Sequence, residues 1–157
     1  MKDDYLTVSS QPVSSEIKVK GSKFIGHVFH VLNKDQAESV YSNIRRKHHD
    51  ATHNCFAYRF SPDEFRYSDD GEPSGTAGKA IYQIIETNNL IQTIIIVTRY
   101  FGGVKLGTGG LSHAYSDAAR EALGKTKIEV KTRYNTLTVE FNYDKLNYVI
   151  ETPSTSP

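Results

Sequence analysis

The stretch from Ile91 to Thr98 limits this chain more than any other, because Ile94, Ile95, Ile96 and Val97 stand unbroken within it. A β-branched run of that length suits a strand covered on both faces, which makes it the expected centre of a sheet. It is far too short to cross a bilayer. Directly after it comes Phe101-Gly102-Gly103-Val104-Lys105-Leu106-Gly107-Thr108-Gly109-Gly110. Then Leu111, Ala114, Tyr115, Ala118, Ala119 and Ala122 recur at helical spacing until Gly124 stops the helix.

The rest of the chain supplies partners for that strand. Ile17 to Leu32 reads as two strands broken near Gly21-Ser22, after a polar lead-in. Asn33 with Gln36 makes an N-cap signature for a helix carrying Ala37, Val40, Tyr41 and Ile44 up to about His49. Asn54 to Phe60 alternates as a strand, Ser61-Pro62-Asp63-Glu64 turns, and Phe65 to Ser68 is a short partner. Thr76 is the expected cap of a second helix with Ile81, Ile84 and Ile85, ending near Asn88-Asn89. Lys127 to Val130 reads as a last strand.

These elements predict an α/β (α+β) two-layer sandwich, a mixed four-stranded sheet with the helices on one face. The first domain is expected over residues 1–132. Tyr134 to Tyr143 alternates as another strand before a helix beginning at Asp144. A strand and half a helix cannot bury their own apolar faces, so residues 133–157 read as the shortened opening of a second domain.

Bulk chemistry narrows the function. The 157 residues hold 19 basic and 18 acidic side chains, net +1, so no global field draws the chain to polyanions and any anion site has to be local. A single cysteine, Cys55, makes no internal disulfide and fits a reducing compartment. No leader-like apolar segment is seen in the first thirty residues, and the cytoplasm is the expected location.

Two glycine-rich stretches carry the chemistry. In the second along the chain, Gly102 to Gly110, five glycines between a buried strand and a helix start let backbone amides converge on a phosphate or carboxylate, with Arg99 and Lys105 as local cations. The spacing matches neither the dinucleotide fingerprint nor the P-loop, and a tight corner alone would also use glycine. The first along the chain is Asp69-Asp70-Gly71-Glu72-Pro73-Ser74-Gly75-Thr76-Ala77-Gly78-Lys79. Its carboxylates Asp69, Asp70 and Glu72 could hold magnesium or act as acid and base, or could cap turns and pair with Lys79 or Arg99. The candidate anion or nucleic-acid site therefore comprises Ser74, Gly75, Thr76, Lys79, Arg99, Gly102, Gly103, Lys105, Gly107, Thr108, Gly109 and Gly110.

Weaker signals lie elsewhere. His48, His49, His53 and Cys55 invite a zinc site, but no second ligand pair has the required spacing, and a cysteine among aromatic strand residues suits inert core. Tyr100, Phe101 and Tyr115 border the glycine stretch and are candidates for stacking on bases, or plain packing. No cofactor, metal or catalytic set is expected.

Taken together, Ser22-Lys23-Phe24-Ile25-Gly26, His49 to Arg59, Asp69 to Gly78, and Val97 to Gly110 with Leu111 and Ala114-Tyr115 closely resemble the IMPACT family, whose bacterial members are often called the YigZ family. The four ordered blocks cover roughly Gly21 to Leu123. Ala80 stands where the family usually has proline. The resemblance implies an N-terminal domain similar to domains of a small-subunit ribosomal protein and of elongation factor G. It also implies a following ferredoxin-like domain, which would need several dozen residues beyond Tyr143. Eukaryotic members regulate translation by competing for an activator of the starvation-responsive initiation-factor kinase.

The expectation is thus a non-enzymatic module that binds RNA or a ribosome-associated factor through the glycine stretches, in translation or its stress control. A small-molecule hydrolase using Asp69, Asp70 and Glu72, and a purely protein-binding regulator, stay open beside it. No membrane partner is expected.

Overall fold

The computed structural model describes residues 2–134. Its elements run β1 (Lys2–Val8), β2 (Val13–Val19), β3 (Ser22–His30), α1 (Lys34–Lys47), β4 (His53–Ser61), β5 (Glu64–Ser68), α2 (Gly78–Thr87), β6 (Thr93–Tyr100), α3 (Gly107–Leu123) and β7 (Ile128–Tyr134). The second domain expected after residue 132 falls almost wholly outside the described residues.

The isoleucine run does occupy the sheet centre. Strands are ordered β2-β3-β6-β4-β5, and every neighbouring pair is antiparallel. The sheet is therefore five-stranded and antiparallel, not mixed and four-stranded. The reason lies in the crossovers: α1 links β3 to β4 and leaves one place between them, which β6 fills running the opposite way.

Alternation on β6 divides the molecule. Ile95 and Val97 join Cys55, Ala57, Phe24 and Val28 under α2 and α3, whose Ile81, Ile85, Leu111, Tyr115 and Ala119 face them. Ile94 and Ile96 join Phe56, Tyr58 and Phe60 on the other face, beneath Ala37 and Ile44 of α1. Helices therefore cover both faces, which corrects the two-layer expectation. A strand fully apolar on both sides needs two coverings, and each such side chain gains about 1.5–3 kcal/mol from burial.

The lead-in is also structured. β1 pairs antiparallel with β7, Leu6 facing Val130 and Val8 facing Ile128, in a separate two-stranded ribbon. Thr7 and Val8 are buried, and the Ile91 amide donates to the Leu6 carbonyl at 3.0 Å, so the ribbon is tied to the segment just before β6.

α1 begins as its sequence predicts. The Asn33 side chain accepts from the Gln36 amide at 2.9 Å, while the Gln36 side chain reaches back to the Leu32 amide at 2.8 Å. α2 does not begin that way. The Thr76 hydroxyl donates to the Pro73 carbonyl at 2.6 Å, and the helix start is held by Asp69 instead. One Asp69 oxygen accepts from the amides of Ala77 (3.1 Å) and Gly78 (2.9 Å), the other from Gly75 (2.9 Å).

Candidate functional site

Register places both glycine stretches at one end of the sheet. Lys23 pairs with Tyr100 and His53 with Arg99, so the starts of β3 and β4 lie beside the end of β6. The end of β5 pairs with β4 nearby, Phe56 facing Ser68. The segment Asp69 to Gly78 leaves that edge toward α2, and Phe101 to Leu106 leaves β6 toward α3.

A buried polar cluster clamps the two stretches together. Arg99 Nη1 donates to both Glu72 oxygens, at 3.1 and 2.9 Å, and Arg99 Nη2 reaches Ser22 Oγ at 3.4 Å. Tyr115 of α3 donates its hydroxyl to the same carboxylate. His53 donates from Nδ1 to the Asp70 carbonyl at 2.7 Å, and its Nε2 lies 3.5 Å from Glu72. Arg99 is 5% exposed and Glu72 7%, so this is a desolvated ion pair that links the first glycine stretch, β6 and α3. Among the described residues Arg99 Nε finds no partner, and the guanidinium lies 5.6 Å from the Phe24 ring centroid and 5.4 Å from that of Phe101.

The remaining carboxylates also serve the frame. Asp69 caps α2, as described, and Asp70 Oδ2 accepts from the Asn54 amide at 2.7 Å. Cys55 is buried and donates to the Asp69 carbonyl at 3.1 Å, and burial pushes its thiol pKa well up, so it stays protonated and unreactive. Among the described residues no group of three or more His, Cys, Asp or Glu is placed to hold a metal ion. No helix among them is long and apolar enough to cross a membrane.

The stretches do lie side by side, and two hollows open against them. One, about 360 Å³, is lined by Glu72, Pro73, Arg99, Phe101, Lys105, Leu106, Gly107, Thr108 and Leu111. Its wall is largely apolar, and Phe101 at its rim is 49% exposed. The other, about 330 Å³, lies between α2 and α3 and is polar, lined by Gly75, Lys79, Gln83, Gly109, Ser112, His113 and Ser116.

The candidate residues divide accordingly. Lys79, Lys105, Ser74 and Thr108 are exposed, and neither lysine has a carboxylate within ion-pair range among the described residues. Arg99 and Thr76 face inward, into the Glu72 pair and the Pro73 carbonyl. Gly107 to Gly110 belong to the first turn of α3, so the second loop proper is Phe101 to Leu106.

The glycines are not equivalent. Gly102 packs on Gly21, where an added Cβ would stand 2.1 Å from the Gly21 carbonyl carbon, so its role is close approach. Gly103 and Gly107 take φ of 90° and 76°. Gly109 has neither reason: among the described residues nothing lies within 4 Å of an added Cβ, and its φ is not positive.

The sequence offered Arg99 as a partner for the carboxylates of this stretch, and the structure assigns it to Glu72; the Tyr115 and His53 contacts of Glu72 went unread, since no spacing rule connects residues 53, 72 and 115. Sequence reasoning weighed His48 and His49 only as metal ligands and left Arg45, Arg46 and Lys47 just before them unread, although the run is legible as a block of cations.

An antiparallel sheet with helices on both faces and paired glycine stretches at one end defines the class, a small α/β domain. The chain belongs to the IMPACT family: its residues 20–123 match the family's Impact N-terminal domain. It is 34% identical over 143 residues to IMPACT family member YigZ of Escherichia coli (strain K12), covering 88% of this chain and 70% of that protein. It is 40% identical over 125 residues to IMPACT family member YvyE of Bacillus subtilis (strain 168), covering 78% of this chain and 57% of that protein. A solved structure described as a hypothetical protein superposes with a TM-score of 0.78 at 33% identity, over 82% of this chain and 64% of the other.

Proposed function

We propose that this domain is a non-enzymatic module that binds RNA, or a ribosome-linked partner, through the two glycine stretches, acting in translation or its stress control. The observation that carries the reading is the pairing of the stretches at one end of the sheet, with Lys79 and Lys105 exposed and free of carboxylate partners among the described residues. Phosphate oxygens suit the polar hollow, where Lys79, His113 and the Ser112 and Ser116 hydroxyls meet the first turn of α3. An unpaired base suits the apolar hollow beside Phe101, since aromatic stacking tolerates any base. Family membership and the implied likeness to ribosomal and elongation-factor domains point the same way, and the cytoplasm is the location that fits.

Hydrolysis is the weaker reading, because Asp69 and Glu72 spend both oxygens on backbone amides and on Arg99, and Asp70 gives one of its oxygens to the Asn54 amide. Recognition of a protein alone draws support from one feature, the exposed Phe101 and Val104 on the second loop, each 49% exposed.

Filter binding of a single-stranded oligoribonucleotide across salt separates these. Phosphate contacts give a log-log slope of about −0.7 per phosphate neutralised. Lys79→Ala with Lys105→Ala is expected to weaken binding and flatten that slope. No affinity at low salt, or an unaltered slope in the double variant, refutes RNA binding at the loops. Partner capture that survives nuclease would then favour protein recognition.

A further inference from the structure

The charged end of the fold continues past the glycine stretches onto α1. Arg45, Arg46 and Lys47 close that helix and His48 and His49 follow. Among the described residues none of these three cations has a carboxylate within ion-pair range, whereas Arg66, Arg99, Arg120 and Lys131 all do. Among the described residues Arg46 is held only by Asn43 Oδ1, at 2.6 Å.

The placement matters more than the count. His48 Nδ1 is hydrogen-bonded to the Tyr100 hydroxyl at 2.7 Å, and Tyr100 is the last residue of β6 before the second loop. Lys23 sits 5.0 Å from the centre of the same Tyr100 ring. On its other side the helix end borders a hollow of about 590 Å³ lined by Arg45, His49, Thr52, His53, Asp70 and Gly71, which opens beside the first glycine stretch. The basic helix end therefore adjoins both stretches. The His48 imidazole pKa is lowered by partial burial and then by Lys47 and Lys23, against an opposing pull from Asp50, in keeping with a locally positive surface. Of the acids here, Asp50 accepts from Tyr100 at 3.2 Å and Asp70 turns an oxygen to the Asn54 amide.

We propose that Arg45, Arg46 and Lys47 form a second contact for the same RNA, taking the sugar-phosphate backbone where it leaves the glycine stretches. The inference rests on the RNA reading above and extends its footprint across the whole end of the sheet. Cations in a last helical turn also offset the helix dipole, so the test has to separate that role from binding.

The test uses this chain, a single-stranded oligoribonucleotide, and the triple variant Arg45→Gln, Arg46→Gln, Lys47→Gln. Binding is expected to weaken about tenfold at low salt and the slope to flatten by roughly 2, from three lost contacts at about 0.7 each. A control that removes three charges at the far end, Lys125→Gln, Lys127→Gln, Lys131→Gln, is expected to bind like the parent. If the triple variant binds with the parent's affinity and slope while Lys79→Ala with Lys105→Ala weakens binding, the extended footprint is wrong and the loop site stands. If only the triple variant weakens binding, the helix contact stands and the loop site falls. Equal losses in the triple variant and the control would overturn the footprint as mere net charge. No binding by the parent at low salt overturns both.

Discussion

Glu72 shows how a residue that looks chemical can be structural. In an acidic, glycine-rich stretch it offers itself as base or metal ligand, yet it is buried against Arg99, Tyr115 and His53. Removing one partner of a desolvated pair leaves the other charge stranded, so Glu72→Ala is expected to cost about 3–5 kcal/mol in urea unfolding. A loss under about 1 kcal/mol, the ceiling for an exposed pair, would mean that water reaches Arg99 freely. His27 makes a second prediction. It donates from Nε2 to Thr98 Oγ1 at 3.2 Å, the same hydroxyl donating to Asn54 at 2.7 Å, and burial, followed by His48 and Lys47, lowers its pKa from 6.5 to about 4. Because the folded value lies below the unfolded one, its contribution is intact above pH 6.5 and is lost as pH falls toward 4. At 1.36 kcal/mol per unit the loss reaches about 3 kcal/mol, and denaturation across that window should show it shrinking in His27→Gln.

At the scale of elements, the sequence exposes what is periodic and hides what is distant. Ile81, Ile84 and Ile85 mark α2, and Asn33 with Gln36 marks the start of α1, because those signals lie within one turn of what they govern. The cap of α2 was not legible, since Asp69 lies eight residues before Ala77 and reaches it only through the fold of the intervening stretch. The side of the sheet taken by α1 was hidden for a related reason: Ile94 to Val97 is apolar on both faces and does not say which helix covers which. The strand β1 was missed because it pairs with β7, more than a hundred residues away in sequence. The start of α3 at Gly107 was masked by its own glycines, which disfavour helix. Gly109 gives that point a test. An alanine there should stabilise the helix by about 0.5–1 kcal/mol, since glycine is the costlier helical residue and the space is open. If an RNA strand lies close against that turn, the same substitution weakens binding while raising the melting temperature. A variant that gains stability and keeps its affinity would mean that nothing approaches there.

Across the whole molecule, the antiparallel register gathers the starts of β3 and β4, the ends of β5 and β6, the last turn of α1 and the first turns of α2 and α3 at one end. A chain of net charge +1 thereby concentrates Lys23, Arg45, Lys47, Lys79 and Lys105 where its bare backbone is exposed. The two glycine stretches were legible as neighbouring turns into helices because strand, glycine and helix follow in order. Which cations stay free was not, because Arg99 and Lys105 look alike until burial assigns one to Glu72 and leaves the other at the rim. The most direct test of the central claim is an NMR titration of the labelled chain with a single-stranded oligoribonucleotide at low salt. The account predicts progressive shifts in the backbone amides of Gly75, Gly103 and Gly107 to Gly110 together with the Lys79 and Lys105 side chains. Shifts confined to the β1–β7 ribbon or the far end of the sheet, or no shifts at saturating RNA, would contradict it.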